Sequence, residues 1–325
     1  MLAQKLHDAH YSHTPPNILV IGDLMLDHYI FGSATRLSPE APVPIVNVKK
    51  ENKIIGGAAN VASNLIDLGA KVSLAGITGN DSFGEEIKAI LSTKNIDTQL
   101  ILKDDSRTTT VKTRVIAGNH QIVRIDQEDT HDIAAELENV FFDSLQNCIA
   151  VSDIVILSDY NKGLLTPSLS LRIIDSCNAL GKRVIVDPKG LDYSKYKGAF
   201  IIKPNRKELA EAAKTEKIHS QDELVKAAAV IFNFTGTDYL IVTLSEGGIA
   251  IITPESCKIL PVVATEVYDV TGAGDTVIAT LSYCIASGFS IEEACTIANY
   301  AASIVIKHIG SATTTIEEII SALKN

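Results

Sequence analysis

The sequence predicts an α/β fold with a mostly parallel central sheet and a small second sheet. Short apolar runs of strand length recur along the chain, beginning with residues 17–22. Segments with helical spacing separate these runs, as expected for successive βα units. Two other stretches are rich in β-forming residues but have no helix between them.

The apolar runs are the candidate strands of the central sheet. The first run stops at Gly22-Asp23, as a buried parallel strand does before its loop. The later runs cover residues 72–75, 154–157, 184–186, 200–202 and 240–243. Because a strand between two helical layers is apolar on both sides, such unbroken runs indicate strands in the centre of the fold.

Helix boundaries are marked by capping residues. A hydroxyl residue followed three positions later by Glu fits a capping box and predicts a helix start. This pattern begins at Ser82, Ser220, Ser290 and Thr315. Glycines suited to closing a helix in the left-handed conformation follow periodic segments at positions 69, 181 and 288.

The second sheet is predicted from segments 28–32 with 43–48 and 108–116 with 121–125, inserted at about residues 28–50 and 107–125. Alternation along residues 110–116 places Lys112 and Arg114 on one face of their strand. A sheet with such a face could close over an anionic ligand. A strand face that is merely solvated explains the pattern equally well.

Composition limits the class of protein. The 325 residues are 46% hydrophobic and carry 29 basic against 39 acidic side chains, a net charge of −10. This excludes a disordered chain and argues against nucleic acid or an anionic membrane as a partner. The five cysteines form no CxxC pair, which indicates thiols in a reducing compartment. We expect one cytoplasmic domain over residues 1–325, with residues 1–16 as a loose arm that lacks secretory-signal features.

The segment most suggestive of chemistry is residues 268–276, which run into an apolar helix. Gly272 and Gly274 allow a tight turn that exposes N–H groups at a helix N-terminus, where an anion such as a phosphoryl group is favoured. A carboxylate at Asp275 would repel that anion, so its presence here makes sense if it takes a proton from a hydroxyl that then attacks phosphorus. Stabilisation of the first helical turn by Asp275 is an equally good explanation.

These residues resemble a known family. Residues 269–275 match the second signature of the ribokinase-like, PfkB-type carbohydrate kinases, and Gly56-Gly-Ala-Ala-Asn60 resembles the first. Asp27 and segments 203–208 and 243–248 follow in the family's order, so the resemblance spans nearly the whole chain. Within the family, segments 38–44 and 185–190 resemble the D-glycero-β-D-manno-heptose 7-phosphate kinases of lipopolysaccharide core synthesis.

The resemblance implies a ribokinase-like three-layer fold whose small β-sheet is a lid, or clasp. It further implies ATP and Mg²⁺ as cofactors and phosphorylation of the anomeric C1 hydroxyl of the heptose phosphate. A homodimer through the lid is expected, because exposed lid edges favour pairing. Many such kinases are fused to a nucleotidyltransferase with an HxGH motif, which this sequence lacks. A monofunctional kinase and a piece of a bifunctional one are both consistent with that.

The resemblance also assigns roles on the ATP side. Asp275 corresponds to the catalytic base, and the amides of Gly272, Ala273 and Gly274 to an anion hole for the transferred phosphoryl group. Glu208 corresponds to a residue that organises Mg²⁺, directly or through water. The positions that match ATP-binding residues are Asn205, Thr243, Ser245, Gly247 and Asn299. Without the family, helix capping is the better explanation of the Asn205 and Glu208 pair.

On the sugar side, the matching residues are Asp27, Gly56, Gly57 and Asn60. A carboxylate beside glycines can accept hydrogen bonds from sugar hydroxyls while the ring approaches the backbone. Helix entry is the alternative role of the glycine pair. The 7-phosphate requires cations, for which the candidates are Lys112, Arg114, Arg124, Lys162 and Lys189. Lys189 and Arg114 are preferred.

Two alternatives to the heptose kinase remain open at this stage. One is another sugar or sugar-phosphate kinase, acting on ribose or a fructose phosphate. The other is a sugar- or nucleotide-binding regulator that kept the fold and lost turnover. Retention of Asp275, Glu208 and the glycines argues for catalysis over the regulator.

Overall fold

The central sheet contains all the predicted apolar runs. In the computed structural model, which describes residues 1–12, 14–118, 120–263, 267–308 and 310–324, nine strands form this sheet. Their order across the sheet is β13 (Cys257–Leu260), β12 (Ile249–Ile252), β11 (Tyr239–Thr243), β10 (Ile201–Ile202), β9 (Arg183–Asp187), β8 (Ile154–Ser158), β1 (Asn17–Gly22), β4 (Lys71–Gly79) and β5 (Ile101–Asp104). All neighbouring pairs are parallel except those of β12, which is antiparallel to both neighbours. A mostly parallel sheet is thus confirmed.

The second sheet is also confirmed. It contains β3 (Pro44–Gly57), β2 (Leu24–Leu37), β6 (Thr110–Ala117) and β7 (His120–Gln127) in that order. The central pair β2 and β6 is parallel, whereas the two outer pairs are antiparallel. β2 begins at Leu24, earlier than predicted, because the chain passes from β1 into this sheet with only Asp23 between the strands. We refer to this four-stranded sheet as the lid.

Ten helices are described in the chain. They are α1 (Leu2–Ser12), α2 (Ala58–Asp67), α3 (Ser82–Thr93), α4 (Ala135–Val151), α5 (Pro167–Ala179), α6 (Arg206–Ala212), α7 (Gln221–Thr235), α8 (Ala273–Ala286), α9 (Ile291–Val305) and α10 (Ile316–Lys324). None is long and apolar enough to cross a membrane.

The helices cover both faces of the central sheet, which makes the fold three-layered. Along β1, Ile18 and Val20 belong to one buried cluster, whereas Leu19 and Ile21 belong to a second cluster on the opposite face. The first cluster includes α2, α8 and α9, and the second includes α4, α5 and α7. Because strand side chains alternate between faces, each apolar run contributes to both cores.

Most predicted helix ends agree with the structure. Ser220 and Ser290 form complete capping boxes, and Thr315 exchanges the same two hydrogen bonds with Glu318. Glycines 69, 181 and 288 have positive φ as expected. A helix starts at Ser82 as predicted, but the predicted capping box is not formed, because the carboxylate of Asp81 caps α3 by accepting from Gly84 N over 2.9 Å. Ser82 is the first helical residue instead.

The expected loose arm at residues 1–16 is wrong. Residues 2–12 form α1, and Leu6 is completely buried in the same cluster as α10. Lys5 Nζ reaches Glu293 Oε2 of α9 at 2.7 Å. The polar residues of this segment obscured a narrow apolar face, which suffices to hold one short helix on the core.

Candidate active site

The candidate site lies where the carboxyl ends of the central strands meet the N-terminus of α8. A polar cavity of about 240 Å³ occupies this position. Ligands of open parallel sheets bind at this end of the strands. Its lining consists of Asp159, Tyr160, Asp187, Lys189, Lys203, Asn205, Glu208, Thr243, Gly272, Gly274 and Asp275. We call it the polar chamber.

Asp275 is held from two sides in the first turn of α8. Asp275 is buried, with only 7% of its surface exposed. The phenol of Tyr160 donates to Oδ1 and the amide of Asn60 donates to Oδ2, each over 2.6 Å. Burial raises the pKa of Asp275, and these two hydrogen bonds oppose that rise. A raised pKa brings the carboxylate closer to the range of a useful general base.

Of the two glycines before Asp275, Gly272 permits this close packing. Gly272 has a φ of 78°, and a Cβ there would lie 3.1 Å from Nδ2 of Asn60. A Cβ on Gly274 would lie 3.7 Å from Nζ of Lys203. The first turn of α8, which begins at Ala273, therefore lies beside a cation at the chamber wall. The N–H of Ala273, one of the three predicted anion-hole amides, already bonds the carbonyl of Val270 over 3.2 Å. This arrangement suits an anion at the helix N-terminus.

Lys203 is a candidate functional residue to which the sequence analysis gave no role. It is 3% exposed, and its Nζ lies 3.0 Å from Oδ1 of Asp187 at the end of β9. Burial raises the pKa of Asp187 to about 6, although Lys203 opposes the rise. In the sequence, only its position in segment 203–208, which resembles a family motif, pointed to a role for Lys203. A buried lysine is distinguished from a surface one only by the fold.

Glu208 combines the two roles that the sequence left open. It completes a capping box with Asn205, in which each side chain bonds the other residue's backbone N–H over 2.8 or 2.9 Å. Its other carboxylate oxygen, Oε1, contacts Nζ of Lys189. Burial lowers the pKa of Lys189, but the contact with Glu208 outweighs this and the net shift is upward. The capping role therefore leaves one oxygen of Glu208 available to a cation.

A second cavity of about 400 Å³ adjoins the polar chamber and is mainly apolar. The two cavities share Thr243, at the end of β11, and Gly274. Of the predicted ATP-binding residues, Ser245 and Asn299 line this second cavity, and the Asn299 amide donates to the carbonyl of Pro261 over 2.6 Å. Its other lining residues include Ile249, Val262, Val277, Ala302 and Ile306. We call it the apolar pocket.

Gly247 does not line the apolar pocket, but Gly248 does. Gly248 has a φ of 86°, and a Cβ there would lie 2.0 Å from the carbonyl oxygen of Leu260. A side chain is therefore excluded at this point. Which glycine of this turn faces the pocket depends on its two positive φ angles, at Ser245 and Gly248, and sequence spacing alone does not give these angles.

The predicted sugar-binding residues lie at the base of the lid. Asp27 on β2 is buried and contacts the guanidinium of Arg114 on β6. A Cβ on Gly56 would lie 2.8 Å from Oδ2 of Asp27, so only a glycine here leaves room for the carboxylate. Gly57 has a structural reason of its own, since its φ is 61° and a Cβ would lie 2.4 Å from the carbonyl oxygen of Asp23.

The candidate cations do not share one place. Lys189 lies in the polar chamber beside Glu208, whereas Arg114 lies on the lid beside Asp27. Glu128 holds both Lys112 and Lys162, at 3.2 and 2.8 Å. Arg124 pairs with Asp126 at 2.8 Å. The three candidate cations on the lid strands, Lys112, Arg114 and Arg124, are thus already paired with carboxylates.

Several known proteins resemble this chain in sequence. The family model of pfkB family carbohydrate kinases matches residues 15–318. The chain is 47% identical over 304 residues to a protein of Sulfurimonas denitrificans named Bifunctional protein HldE, covering 94% of this chain and 63% of that protein. A protein of the same name from Helicobacter pylori is 48% identical over 302 residues, covering 93% and 65%. The chain therefore spans about two thirds or less of the length of these relatives.

Solved structures show the same fold. Arabidopsis thaliana ribokinase complexed with ribose and ATP superimposes with a TM-score of 0.76 at 19% identity, covering 96% of this chain and 100% of that one. Escherichia coli phosphofructokinase-2 in complex with potassium gives the same values. The ribokinase-like fold is thereby confirmed. Because that family model matches residues 15–318, almost the whole chain, the chain belongs to the pfkB family of carbohydrate kinases.

Proposed function

We propose that the chain transfers the γ-phosphoryl group of ATP to the anomeric C1 hydroxyl of D-glycero-β-D-manno-heptose 7-phosphate, giving the 1,7-bisphosphate. The observation that carries this proposal is the position of Asp275. Its buried carboxylate lies in the polar chamber, at the N-terminus of α8 and next to a pocket with space for a nucleotide base. A base, an anion site and a nucleotide pocket are what phosphoryl transfer to a hydroxyl requires.

The two cavities suggest how ATP is oriented. The apolar side chains of Val277, Ile249 and Ile306 suit the faces of an adenine ring. The triphosphate then passes Thr243 and Gly274 into the polar chamber. There the N–H groups of α8 and the ammonium of Lys203 favour the negative charge of the γ-phosphoryl group.

Asp275 takes the proton of the C1 hydroxyl as the sugar oxygen forms its bond to the γ-phosphorus. The bond between that phosphorus and the β,γ-bridging oxygen breaks, and ADP leaves with the electron pair. The proton remains on Asp275 until the chamber opens to solvent. Raising the pKa of Asp275 by burial assists the transfer, because the carboxylate becomes a stronger proton acceptor.

The chamber also fits a magnesium ion. Glu208 offers Oε1, which already contacts the ammonium of Lys189, so this oxygen faces a position that accepts positive charge. No cluster of three or more potential metal ligands occurs in the residues for which coordinates are described. A cation that keeps several waters and binds mainly to phosphate oxygens needs few protein ligands. Magnesium would neutralise the charge that develops on the phosphates.

The sugar side supports a phosphorylated sugar. Asp27 offers a carboxylate that packs against Gly56, and Arg114 supplies a cation next to it. The choice of the heptose phosphate rests on the relatives named Bifunctional protein HldE and on segments 38–44 and 185–190. Of the two cations preferred for the sugar phosphate, we assign only Arg114 to that group. We assign Lys189 to the transferred group instead, because it lines the polar chamber.

The experiment is Mg·ATP turnover measured by coupled ADP release. The acceptors are D-glycero-β-D-manno-heptose 7-phosphate, ribose, fructose 6-phosphate and a control without sugar. We expect turnover confined to the heptose phosphate. Turnover only with another sugar would retain the Asp275 mechanism and overturn the substrate. Silence with every acceptor would favour a binding protein without turnover. Arg114→Ala should raise the KM for the phosphorylated acceptor more than that for ATP.

We also propose that the chain forms a homodimer through the lid. Val48 on β3 and Val123 and Ile125 on β7 are 53%, 45% and 56% exposed. Apolar side chains that are this exposed on a sheet favour burial against a second sheet. Light scattering of the purified chain should give the mass of a dimer, and Ile125→Glu should shift it to a monomer. A monomeric wild type would contradict the proposal.

A further inference from the structure

Tyr160 touches the candidate base but has no role in the reaction described above. It lies in the loop that leads from β8 into α5. Its phenol oxygen is 2.6 Å from Oδ1 of Asp275, although 115 positions separate the two residues. The ammonium of Lys189 lies 6.0 Å from the centre of its ring. The ring thus stands between the base and the cation that contacts Glu208.

The backbone of this loop is fixed by buried carboxylates. Asp23, only 4% exposed, accepts from the backbone N–H of Tyr160 over 2.7 Å and from that of Lys162 over 3.2 Å. The N–H of Asp159 bonds the carbonyl of Asp187 over 3.0 Å. Asn161 adopts a φ of 57°, and its N–H bonds Oδ1 of Asp159. Such a loop can hold a side chain in one place, which a precise contact to a base requires.

The phenol acts as a donor in this contact. Burial, together with the nearby carboxylate of Asp275, raises the pKa of Tyr160 well above its usual value. The hydroxyl therefore keeps its proton at neutral pH and is not a second base. A hydrogen bond from a neutral donor to a carboxylate is short and strong, and it fixes the plane of the carboxylate group.

We propose that Tyr160 is a positioning residue, whose hydroxyl, opposite the amide of Asn60, holds the Asp275 carboxylate in the orientation that accepts the proton of the sugar hydroxyl. This inference rests on the proposed function. With one oxygen of Asp275 bonded to Tyr160 and the other to Asn60, the group cannot rotate about its Cβ–Cγ bond without breaking both contacts. Orientation of a reacting group contributes strongly to rate.

The test is Tyr160→Phe, assayed by ADP release with heptose 7-phosphate and, should another acceptor prove to be the substrate, with that acceptor. We expect kcat to fall by about 10- to 100-fold, the scale of one hydrogen bond to a charged group. KM for ATP and for the acceptor should stay within about twofold, because the residue acts through Asp275. Thermal unfolding measured in parallel shows whether the variant is folded.

Tyr193→Phe is the matched control. Tyr193 is a fully buried tyrosine, but its hydroxyl has no hydrogen-bond partner among the described residues. Its loss should leave kcat within about twofold of the wild type. An equal loss of activity in the two variants would overturn the proposal, since any buried phenol would then have the same effect.

The double variant with Asp275→Asn decides how Tyr160 acts. If it acts through the base, Tyr160→Phe should cause no further loss once Asp275 is replaced. An equal loss in both backgrounds would overturn the inference while leaving the proposed function intact, as would a raised KM with unchanged kcat or a fully active Tyr160→Phe. A fully active Asp275→Asn variant would instead contradict the proposed function. That outcome is seen in the single variant Asp275→Asn, without the double variant.

Discussion

The amide of Asn60 donates to Oδ2 of Asp275 over 2.6 Å, which joins the two glycine-containing motifs across 215 positions of the chain. Asn60 lies in the first turn of α2, and Asp275 in the first turn of α8. Thr276 repeats the connection one position further on, since its hydroxyl donates to Oδ1 of Asn64 over 2.8 Å. The two helices therefore meet at the candidate base.

Replacing Asn60 by Asp should expose this dependence as a change in pH profile. Two carboxylates at hydrogen-bond distance cannot both ionise, so the pKa of Asp275 rises further. The base must be ionised to accept a proton, so activity is lost on the acid side. We expect the acid limb of kcat to move up by at least about one pH unit, with partial recovery at higher pH.

Asn64→Asp is the control for that experiment. It makes the same chemical change one helical turn away, where the side chain contacts Thr276 and the backbone of Asn60 but makes no hydrogen bond to Asp275. Its pH profile should resemble that of the wild type. A shift of the same size in both variants would show that the effect arises from the helix and not from the contact with Asp275.

Asp275→Asn should lower kcat by at least about 100-fold, the scale of a lost general base. Stability should change little, because burial already disfavours the charged form of this side chain. ADP release and thermal unfolding provide the two measurements. Turnover at the wild-type rate would remove Asp275 from the mechanism.

Lys189→Met should tighten the apparent affinity for Mg²⁺. The ammonium of Lys189 contacts Oε1 of Glu208, so it competes with a metal ion for that oxygen. We expect the half-saturating Mg²⁺ concentration at fixed ATP to fall by about fivefold, which corresponds to about 1 kcal/mol. Lys207→Met provides a control, because Lys207 is exposed on α6, away from Glu208 Oε1, and pairs with Glu211 at 3.6 Å. If the half-saturating Mg²⁺ concentration falls no more in Lys189→Met than in Lys207→Met, the competition is contradicted.

Asp23 should make stability depend on pH in an unusual direction. Burial, with the nearby Asp159 carboxylate, raises the pKa of Asp23 from 3.8 to about 6. The folded state then holds the proton more tightly than the unfolded chain. The resulting stability is fully present below pH 3.8 and is lost as pH rises through about 6.

The corresponding variant is Asp23→Asn, which cannot ionise but keeps an oxygen to accept from the loop of Tyr160. Relative to wild type, its free energy of unfolding should rise between pH 4 and pH 7 by up to about 3 kcal/mol. Urea unfolding at several pH values measures the change. Asp238→Asn, at an exposed position, should show no such trend. Parallel pH curves for Asp23→Asn and wild type would contradict the prediction.

The two glycines after Ser245 should respond differently to substitution. Gly248→Ala forces a Cβ to 2.0 Å from the Leu260 carbonyl at a positive φ, so we expect a loss of about 2 kcal/mol or more in unfolding free energy. ATP affinity should fall as well, because Gly248 lines the apolar pocket. In Gly247→Ala the nearest atom, Cβ of Leu244, is 3.0 Å away and the cost should be below about 1 kcal/mol. Equal losses in denaturant unfolding would contradict this difference.

The sequence by itself determined the elements and the motif that carries the base. Apolar runs predicted the central strands because a strand buried on both faces is apolar throughout, as β1 and β8 are. Capping boxes predicted helix starts because their partners are three residues apart. The glycine spacing before Asp275 predicted a helix N-terminus suited to an anion, and α8 begins there.

Only the tertiary structure decided which side chains meet. The contacts of Asp275 with Asn60 and Tyr160 join residues 215 and 115 positions apart, and no periodic pattern constrains such pairs. The same holds for the burial of Lys203 against Asp187 and for the packing of α1 on the core. Local patterns reflect the geometry of one helix or strand, whereas the site consists of ends of several elements that the core packing brings together.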